Sequence, residues 1–176
     1  EHMISSDFFF THPNQFYDFY FHEMIYPQAK PNAAHIALAE LEKMGICKAV
    51  ITQNIDGLHQ AAGSKNVLEL HGSVHRNRCL GCHTHYDLAA MINQKDRVPK
   101  CSKCGHIIKP EVVLYQEALD QSVIQSAVSH IQSADTLIVG GTSLQVYPAA
   151  GLIQYFHGSQ LILINKSVTD MEYKAD

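Results

Sequence analysis

The sequence lacks several features that would place the protein in a special class. No apolar run reaches the roughly 18 residues that a membrane-spanning helix needs, so we expect no membrane segment. The first residues, Glu1-His2-Met3, show neither a basic head nor an apolar stretch, so we expect no signal peptide. The formal net charge is −4, so the electrostatics of the chain as a whole do not favour nucleic acid as a partner.

Cysteine is scarce, and the count is odd. Five cysteines without a secretion signal argue against a disulfide framework and favour a reducing compartment. We therefore predict a cytoplasmic location.

What is present is the composition of an ordinary globular domain. The 176 residues, 46% of them apolar, suit one domain with a hydrophobic core, or one domain with a small insert. Stretches with helical periodicity alternate with short apolar runs, which indicates a Rossmann-like α/β fold with a parallel sheet and helices on both faces. The predicted strands are 48–52, 67–70, 136–139 and 160–164, and the predicted helices run from Pro31 to Gly45, over 121–133 and over 147–157.

Two cysteine pairs indicate a metal site. Cys79-x-x-Cys82 is followed, after 18 residues, by Cys101-x-x-Cys104, which is the spacing of a zinc ribbon. Four thiolates leave no open coordination position, so one structural Zn²⁺ is expected. Two redox-active CxxC pairs are the alternative, but neither pair opens a helix in a βαβ context. The segment 74–109 therefore reads as an inserted zinc-binding module between residues 1–73 and 110–176.

The module and the N-terminal region differ in composition from the rest. Residues 75–109 hold seven of the 13 Lys and Arg residues and two acidic residues, giving a local charge of +5. A solvated basic face explains this positive charge, and a surface that contacts nucleic acid or an acidic partner is the alternative. Nine of the 15 Phe and Tyr residues lie between Phe8 and Tyr26. We predict a packed helical segment within 1–30, in a small lobe, with a lid beside a ligand site as the alternative.

Polar side chains follow three of the predicted strands. They are the Gln53-Asn54-Ile55-Asp56 run, His71, and the Gly141-Thr142-Ser143 turn. Open α/β sheets bind ligands at the carboxyl ends of their strands. Small residues in the third turn would let backbone N–H groups approach a nucleotide. Each motif alone is weak evidence.

Together, the ordered motifs resemble the sirtuin family, and the similarity spans nearly the whole chain. The motifs are Pro31-Asn32-Ala33-Ala34-His35, Thr52-Gln53-Asn54-Ile55-Asp56-Gly57-Leu58-His59, Leu70-His71-Gly72, the two cysteine pairs, Gly141-Thr142-Ser143-Leu144 with Tyr147-Pro148-Ala149-Ala150, and Ile164-Asn165. The resemblance implies an NAD-dependent protein-lysine deacylase, which transfers the acyl group of a modified lysine to ADP-ribose and releases nicotinamide.

The resemblance also implies roles for individual residues. His71 would be the general base, acting through the ribose hydroxyls, and Asn54 would share the catalytic site with it. Gln53 and Asn54 would position the ribose and a water, while Ile55 and Asp56 would hold the nicotinamide carboxamide. The full set of implied cofactor-binding residues is Gln53, Asn54, Ile55, Asp56, Gly141, Thr142, Ser143, Asn165 and Lys166.

The segment 109–117 resembles the family's peptide-binding segment. There, an acylated-lysine peptide would add as a strand, with Val112, Val113, Leu114 and Tyr115 as substrate-binding residues. A plain edge strand is the alternative. Gln116 stands where the family usually has Gly, and Lys109 stands where it usually has Arg, so peptide preference or the local turn is expected to differ.

The resemblance further implies a strand and a Gly-Ala-Gly-type phosphate turn before Glu1, and a last strand after Asp176. We therefore expect this chain by itself to lack part of the phosphate site and to be inactive alone. Two other functions stay open at this point: protein ADP-ribosylation from the same NAD site, and a non-enzymatic zinc-ribbon binding module.

Overall fold

The computed structural model describes residues 2–142 and 149–166, which fall into two compact units. The first unit ends at Leu119, and the second begins at Asp120. Within these ranges, no helix is long and apolar enough to cross a membrane.

The aromatic N-terminal segment forms three short helices that build the core of the first unit. The Ser5 hydroxyl accepts the Phe8 N–H at 3.2 Å and caps the first helix. Pro13 starts the second helix, where its missing N–H costs nothing. Their aromatic rings meet edge to face, as Phe9 and Phe16 do at 5.0 Å, which confirms the predicted packed segment. The helices are α1 (Ser6–Thr11), α2 (Pro13–Phe19) and a π-helix (Tyr20–Met24), preceded by a 3₁₀ turn (His2–Ile4).

The next helix, α3 (Ala33–Lys43), begins later than the sequence indicates. The predicted first-turn position of Pro31 is wrong, because Asn32 is the N-cap. Its side-chain oxygen accepts the N–H groups of Ala34 at 3.0 Å and His35 at 3.1 Å. Gly45, with φ of +73°, follows the helix as predicted.

A parallel strand pair follows, with a short helix between its strands. The strands are shorter than predicted, because the pairing runs only from Val50 opposite Val67 to Thr52 opposite Glu69. The loop after the first strand leads into the helix. The elements are β1 (Val50–Thr52), α4 (Leu58–Ala62) and β2 (Val67–Glu69).

The cysteine-bearing region is built on an antiparallel sheet. Its strand order is β4-β3-β5, and the β3–β5 register shifts between Ser73 and Asn77. The cysteine pairs lie at the far end of this sheet, in turns next to Cys79 and Lys100. The elements are β3 (Gly72–Cys79), β4 (His85–Tyr86), α5 (Leu88–Ile92) and β5 (Ile108–Val112).

The second unit contains another parallel strand pair, in register from Thr136 opposite Gln160 to Gly140 opposite Ile164. The predicted helix over 147–157 is instead a 3₁₀ helix, and Tyr147 and Pro148 lie outside the described residues. The chain is an α/β protein with parallel strands, helices and an inserted antiparallel module, so the predicted fold class is confirmed. The elements are α6 (Gln121–Gln132), β6 (Thr136–Gly140), the 3₁₀ helix (Ala149–Tyr155) and β7 (Gln160–Ile164).

Candidate active site and metal centre

The loop after β1 and the residues after β2 lie side by side. The Leu70 N–H donates to the Thr52 carbonyl at 2.9 Å, and the Val74 N–H donates to the Ile55 carbonyl at 3.1 Å. These two bonds bracket His71 and bring it beside the loop that carries Gln53 and Asn54. The structure therefore brings together the predicted catalytic residues of the first unit, as parallel strands with adjacent carboxyl ends require.

The His71 ring is held in one tautomer. Its Nδ1 lies 3.0 Å from the Gln53 carbonyl oxygen. A carbonyl only accepts, so Nδ1 carries the proton, and in the neutral imidazole the lone pair is then on Nε2. The ring is half-buried, and its orientation is set by backbone rather than by a mobile side chain. A fixed imidazole with an unprotonated Nε2 is what a general base requires.

The residues on the predicted nicotinamide side form a tight turn. The Asp56 carboxylate accepts the Leu58 N–H at 2.9 Å and so starts α4, while Gly57 adopts φ of +71°. The Asn54 N–H donates to the Thr52 hydroxyl at 3.0 Å. Both Asn54 and Asp56 are exposed, and Ile55 is half-buried. The turn thus presents an amide and a carboxylate to solvent on a backbone with fixed geometry.

Behind this turn, a histidine pair includes a partly buried imidazole. The rings of His35 and His59 are 4.6 Å apart between centroids. Burial lowers the pKa of His59, and the neighbouring His35 adds to the effect. The neutral form of the His59 imidazole is therefore favoured.

The predicted peptide-binding segment is tied directly to His71. The Val113 N–H donates to the His71 carbonyl at 3.0 Å. Gly72, with φ of +74°, lies so close to β5 that a Cβ would meet the Glu111 carbonyl oxygen at 1.9 Å. The side chains of Val112 and Leu114 are buried in the core, Val113 is half-buried, and Tyr115 is 41% exposed. Of these four residues, Tyr115 presents the most side-chain surface.

In the second unit, the structure brings together three of the predicted cofactor-binding residues. The Gly141 N–H donates to the Ile164 carbonyl at 3.0 Å, with Gly141 at φ of +65°. The Asn165 side-chain amide donates to the Thr142 carbonyl at 3.0 Å. Lys166 is exposed at the end of this group, and Ser143 lies outside the described residues. The turn after β6 is thus pinned to the end of β7, where small residues leave the backbone accessible.

The four predicted metal ligands converge. Their sulfur atoms all lie within 4.8 Å of one another, with Cys79 3.3 Å from Cys104 and Cys82 3.5 Å from Cys101. Four sulfurs around a tetrahedral Zn²⁺, each about 2.3 Å from the ion, are about 3.8 Å apart. The residues therefore fit one structural zinc ion with no open position.

Neighbouring groups stabilise the thiolates. The Gly81 N–H points at Cys79 Sγ at 3.3 Å, and the Lys103 N–H points at Cys101 Sγ at 3.4 Å. The Tyr86 hydroxyl donates to Cys101 Sγ at 3.0 Å and lowers the pKa of that thiol to about 6. These donors favour the charged form that a metal ligand needs.

The two cysteine knuckles use different residues in the left-handed conformation. Gly105 has φ of +77°, whereas the left-handed residue of the first knuckle is His83, at φ of 58°. Gly81 is needed for a steric reason, because a Cβ there would meet the His106 ring at 2.6 Å.

Comparisons with known proteins agree with this geometry. Residues 1–148 match the model of the Sir2 family. The chain belongs to the Sir2 family. It is 60% identical over 176 residues to an "NAD-dependent protein deacetylase" of Clostridium acetobutylicum, covering all of this chain and 72% of that protein. A deacetylase of the same name from Clostridium perfringens is 61% identical over 177 residues, again with 72% of its length covered.

Solved structures of the Sir2 family superpose closely. One, from work on sirtuin substrate affinity, gives a TM-score of 0.91 at 43% identity, covering 98% of this chain and 76% of that one. Another, a Sir2 protein with a p53 peptide and NAD⁺, gives a TM-score of 0.89 at 42% identity, covering 98% and 74%. The resemblance seen in the motifs is therefore confirmed.

Several residues that shape the site escape sequence reasoning. His75 contacts the Asp56 carbonyl, and Asp7 contacts Gln116 across 109 positions of sequence. Neither pair has a motif or a spacing that would reveal it. The unusual residue at position 116 is the one signal that could have directed attention to the second pair.

Proposed function

We propose that this chain forms the catalytic part of an NAD-dependent protein-lysine deacetylase. The observation that carries the proposal is the placement of His71. The Nδ1 of His71 donates to the Gln53 carbonyl, and the backbone carbonyl of His71 accepts the Val113 N–H. One residue thus links the predicted NAD-side loop to the predicted peptide segment, with Nε2 left as a base.

The chain's own residues support each part of the reaction. NAD supplies an electrophilic ribose carbon with nicotinamide as the leaving group, and the acyl oxygen of the substrate lysine is the nucleophile. His71 Nε2 would accept a proton through a ribose hydroxyl. Asn54 and Gln53 would orient the ribose and a water, and Ile55 and Asp56 would hold the carboxamide. Fixed polar groups of this kind stabilise developing charge without having to reorganise.

The resemblance to the family suggests roles for the remaining predicted residues. Gly141, Thr142, Ser143, Asn165 and Lys166 would bind the adenosine side of NAD. An acylated-lysine peptide would lie along Val112, Val113, Leu114 and Tyr115.

We assign residues 74–109 to the zinc module, and residues 1–73 and 110–176 to the NAD-binding domain. Cysteine pairs that serve as metal ligands rather than disulfides support a cytoplasmic location, because thiols persist in a reducing compartment.

The charges of the zinc module do not favour a nucleic-acid function. Arg76 is 2.7 Å from Glu69, Arg78 is 3.6 Å from Glu111, and Lys109 is 3.1 Å from Glu117. Three of the seven basic residues are therefore engaged by carboxylates within the fold. The names of the relatives favour deacetylation over ADP-ribosylation.

The test is a mass-spectrometric assay with NAD and acetyl-lysine peptides. It is run on the chain and on a version completed with the segments that the Clostridium acetobutylicum protein has beyond it. We expect the completed version to release nicotinamide and to form acetylated ADP-ribose in equal amounts. His71→Ala should abolish both products, while zinc content and thermal stability are retained. Full turnover by His71→Ala, or label transfer from NAD to protein without deacetylation, would overturn the proposal.

A further inference from the structure

Gln116 occupies a backbone conformation that favours glycine. Its φ is 77°, and within the described residues only it and His83 combine a positive φ with a side chain. A Cβ in the left-handed region is strained, so something must compensate. Because Gln116 directly follows the exposed Tyr115, that compensation acts on the predicted peptide-binding segment.

The compensation is a reciprocal pair of hydrogen bonds with Asp7, in the first turn of α1. The Asp7 N–H donates to Gln116 Oε1 at 3.0 Å, and Gln116 Nε2 donates to Asp7 Oδ2 at 2.9 Å. Both ends of the Gln116 amide are thus bonded to one residue. A glycine at this position would relieve the strain but could make neither bond.

Neighbouring bonds show that the turn is also tied to the chain at and just before the start of α1. The Tyr115 N–H donates to the Ile4 carbonyl at 3.0 Å, and the Ser6 N–H donates to the Tyr115 carbonyl at 2.9 Å. Glu117 closes the turn from the other side, accepting the Leu114 N–H at 3.0 Å and Lys109 Nζ at 3.1 Å. The Asp7–Gln116 pair is the one contact in this set made by two exposed side chains.

Exposure separates this pair from the core that holds the fold. Phe9 and Leu114 are buried on either side of the turn and anchor α1 and the segment independently. Loss of two solvent-exposed hydrogen bonds removes little folding energy. It does leave position 116, next to Tyr115, without a side-chain partner, so this end of the turn is less ordered, and a binding segment that must be ordered by its ligand binds more weakly.

We propose that Gln116 and Asp7 are positioning residues that fix the peptide-binding turn before the acylated peptide arrives. The inference rests on the proposed function of residues 112–115. Its consequence is selective: the pair acts on peptide affinity and leaves NAD affinity unchanged. In this chain the two hydrogen bonds stabilise the left-handed conformation at position 116, which a glycine would adopt without strain.

The experiment separates strain from clamping with four variants of the completed protein. Gln116→Ala keeps the backbone strain and removes the two hydrogen bonds, whereas Gln116→Gly removes the strain as well as the two bonds. Asp7→Ala removes the carboxylate acceptor, and Asp7→Asn keeps an oxygen that Gln116 Nε2 can reach. Gln125→Ala, at an exposed glutamine of α6, is the matched control.

We expect Gln116→Ala and Gln116→Gly to raise the KM for an acetyl-lysine peptide about three- to tenfold, as the loss of one or two modest hydrogen bonds implies. The KM for NAD should stay unchanged in both variants. The melting temperature should stay unchanged in Gln116→Ala and should not fall in Gln116→Gly, where glycine relieves the left-handed strain. Asp7→Ala should show a smaller rise, Asp7→Asn and Gln125→Ala none, and Asp7→Ala should add nothing to Gln116→Ala. Rescue by Asp7→Asn distinguishes positioning from loss of structure.

Two results would overturn the inference. One is a wild-type peptide KM in both Gln116 variants, and the other is an equal rise in the KM for NAD. Both results are interpreted only when the wild-type protein is active in the same assay. An inactive wild-type protein would instead remove the proposed function, and the inference would fall with it.

Discussion

The ring of His75 lies against Gly57, and its Nε2 is 3.0 Å from the carbonyl oxygen of Asp56. The contact is so close that a Cβ on Gly57 would meet the His75 ring at 2.7 Å. A side chain from β3 therefore supports the turn that carries the predicted nicotinamide-binding residues. Because the Asp56 carbonyl accepts, His75 Nε2 is the donor.

This contact predicts a selective effect of His75 on the NAD side. His75→Ala should raise the KM for NAD about three- to tenfold, since the turn loses one hydrogen bond and its packing partner. His75→Gln, whose amide can still donate, should recover part of the loss. Steady-state kinetics with NAD and peptide varied separately measure both. An increase confined to the peptide KM would contradict the assignment.

Much of the site could be predicted because its elements are local. Gln53, Asn54 and Asp56 follow one strand directly, and His71 follows its parallel partner, so their proximity is a consequence of strand pairing. The cysteine spacing likewise encodes the metal centre. Pairings such as Asp7 with Gln116 depend on how distant segments meet, which sequence spacing does not encode.

The boundaries were less predictable for a physical reason. Apolar runs at 48–52 and 67–70 continue beyond the hydrogen-bonded ladder, which ends where the chain turns into the loops. The Asn32 side chain accepts two N–H groups in the first turn of α3 and so acts as the N-cap. The helix therefore begins after Asn32, although Pro31 could also have stood in a first turn.

Alanine substitutions at two glycines, Gly72 and Gly45, test how closely β3 and β5 approach. Gly72 and Gly45 have nearly the same φ, +74° and +73°, but only Gly72 has a neighbour in the way, the Glu111 carbonyl at 1.9 Å. Gly45→Ala should therefore cost about 1 kcal/mol, the cost of left-handed backbone alone. Gly72→Ala should cost more than about 3 kcal/mol, because the strands must separate.

Urea unfolding of the two variants provides the measurement. The difference in unfolding free energy between them isolates the steric clash, since the backbone strain is shared. Equal destabilisation would show that Gly72 does not lie against β5. A folded Gly72→Ala protein should also lose activity, because the change falls next to His71.

The zinc centre predicts one metal ion per chain. Cys101→Ser should reduce bound zinc from about one ion to nearly none and unfold the region around the two knuckles, because three ligands cannot complete a closed site. Cys47→Ser is the matched control, since Cys47 lies outside the cluster. Metal analysis of purified protein, with hydrogen exchange over residues 75–109, checks both parts. A folded, zinc-free wild-type preparation would contradict the assignment.

Glu42 predicts a loss of stability in acid. Its carboxylate accepts the N–H groups of Asn66 at 2.8 Å and Lys65 at 2.9 Å, and these bonds hold its pKa below the ordinary value. A carboxyl whose pKa is lower in the folded state stabilises the fold above its unfolded pKa. That stabilisation is lost as the pH falls through the folded pKa.

We therefore expect Glu42→Gln to lower the melting temperature at pH 7 and to have a smaller effect as the pH falls towards 3, because the wild-type stabilisation is lost as the pH falls through the lowered folded pKa. Glu40→Gln is the control, because Glu40 makes only an exposed contact with Lys43 at 2.6 Å. Thermal melts of the three proteins between pH 3 and 7 provide the comparison. A Glu42→Gln deficit that stays constant across this range would mean that the N–H groups of the loop between α4 and β2 do not depend on the ionised carboxylate.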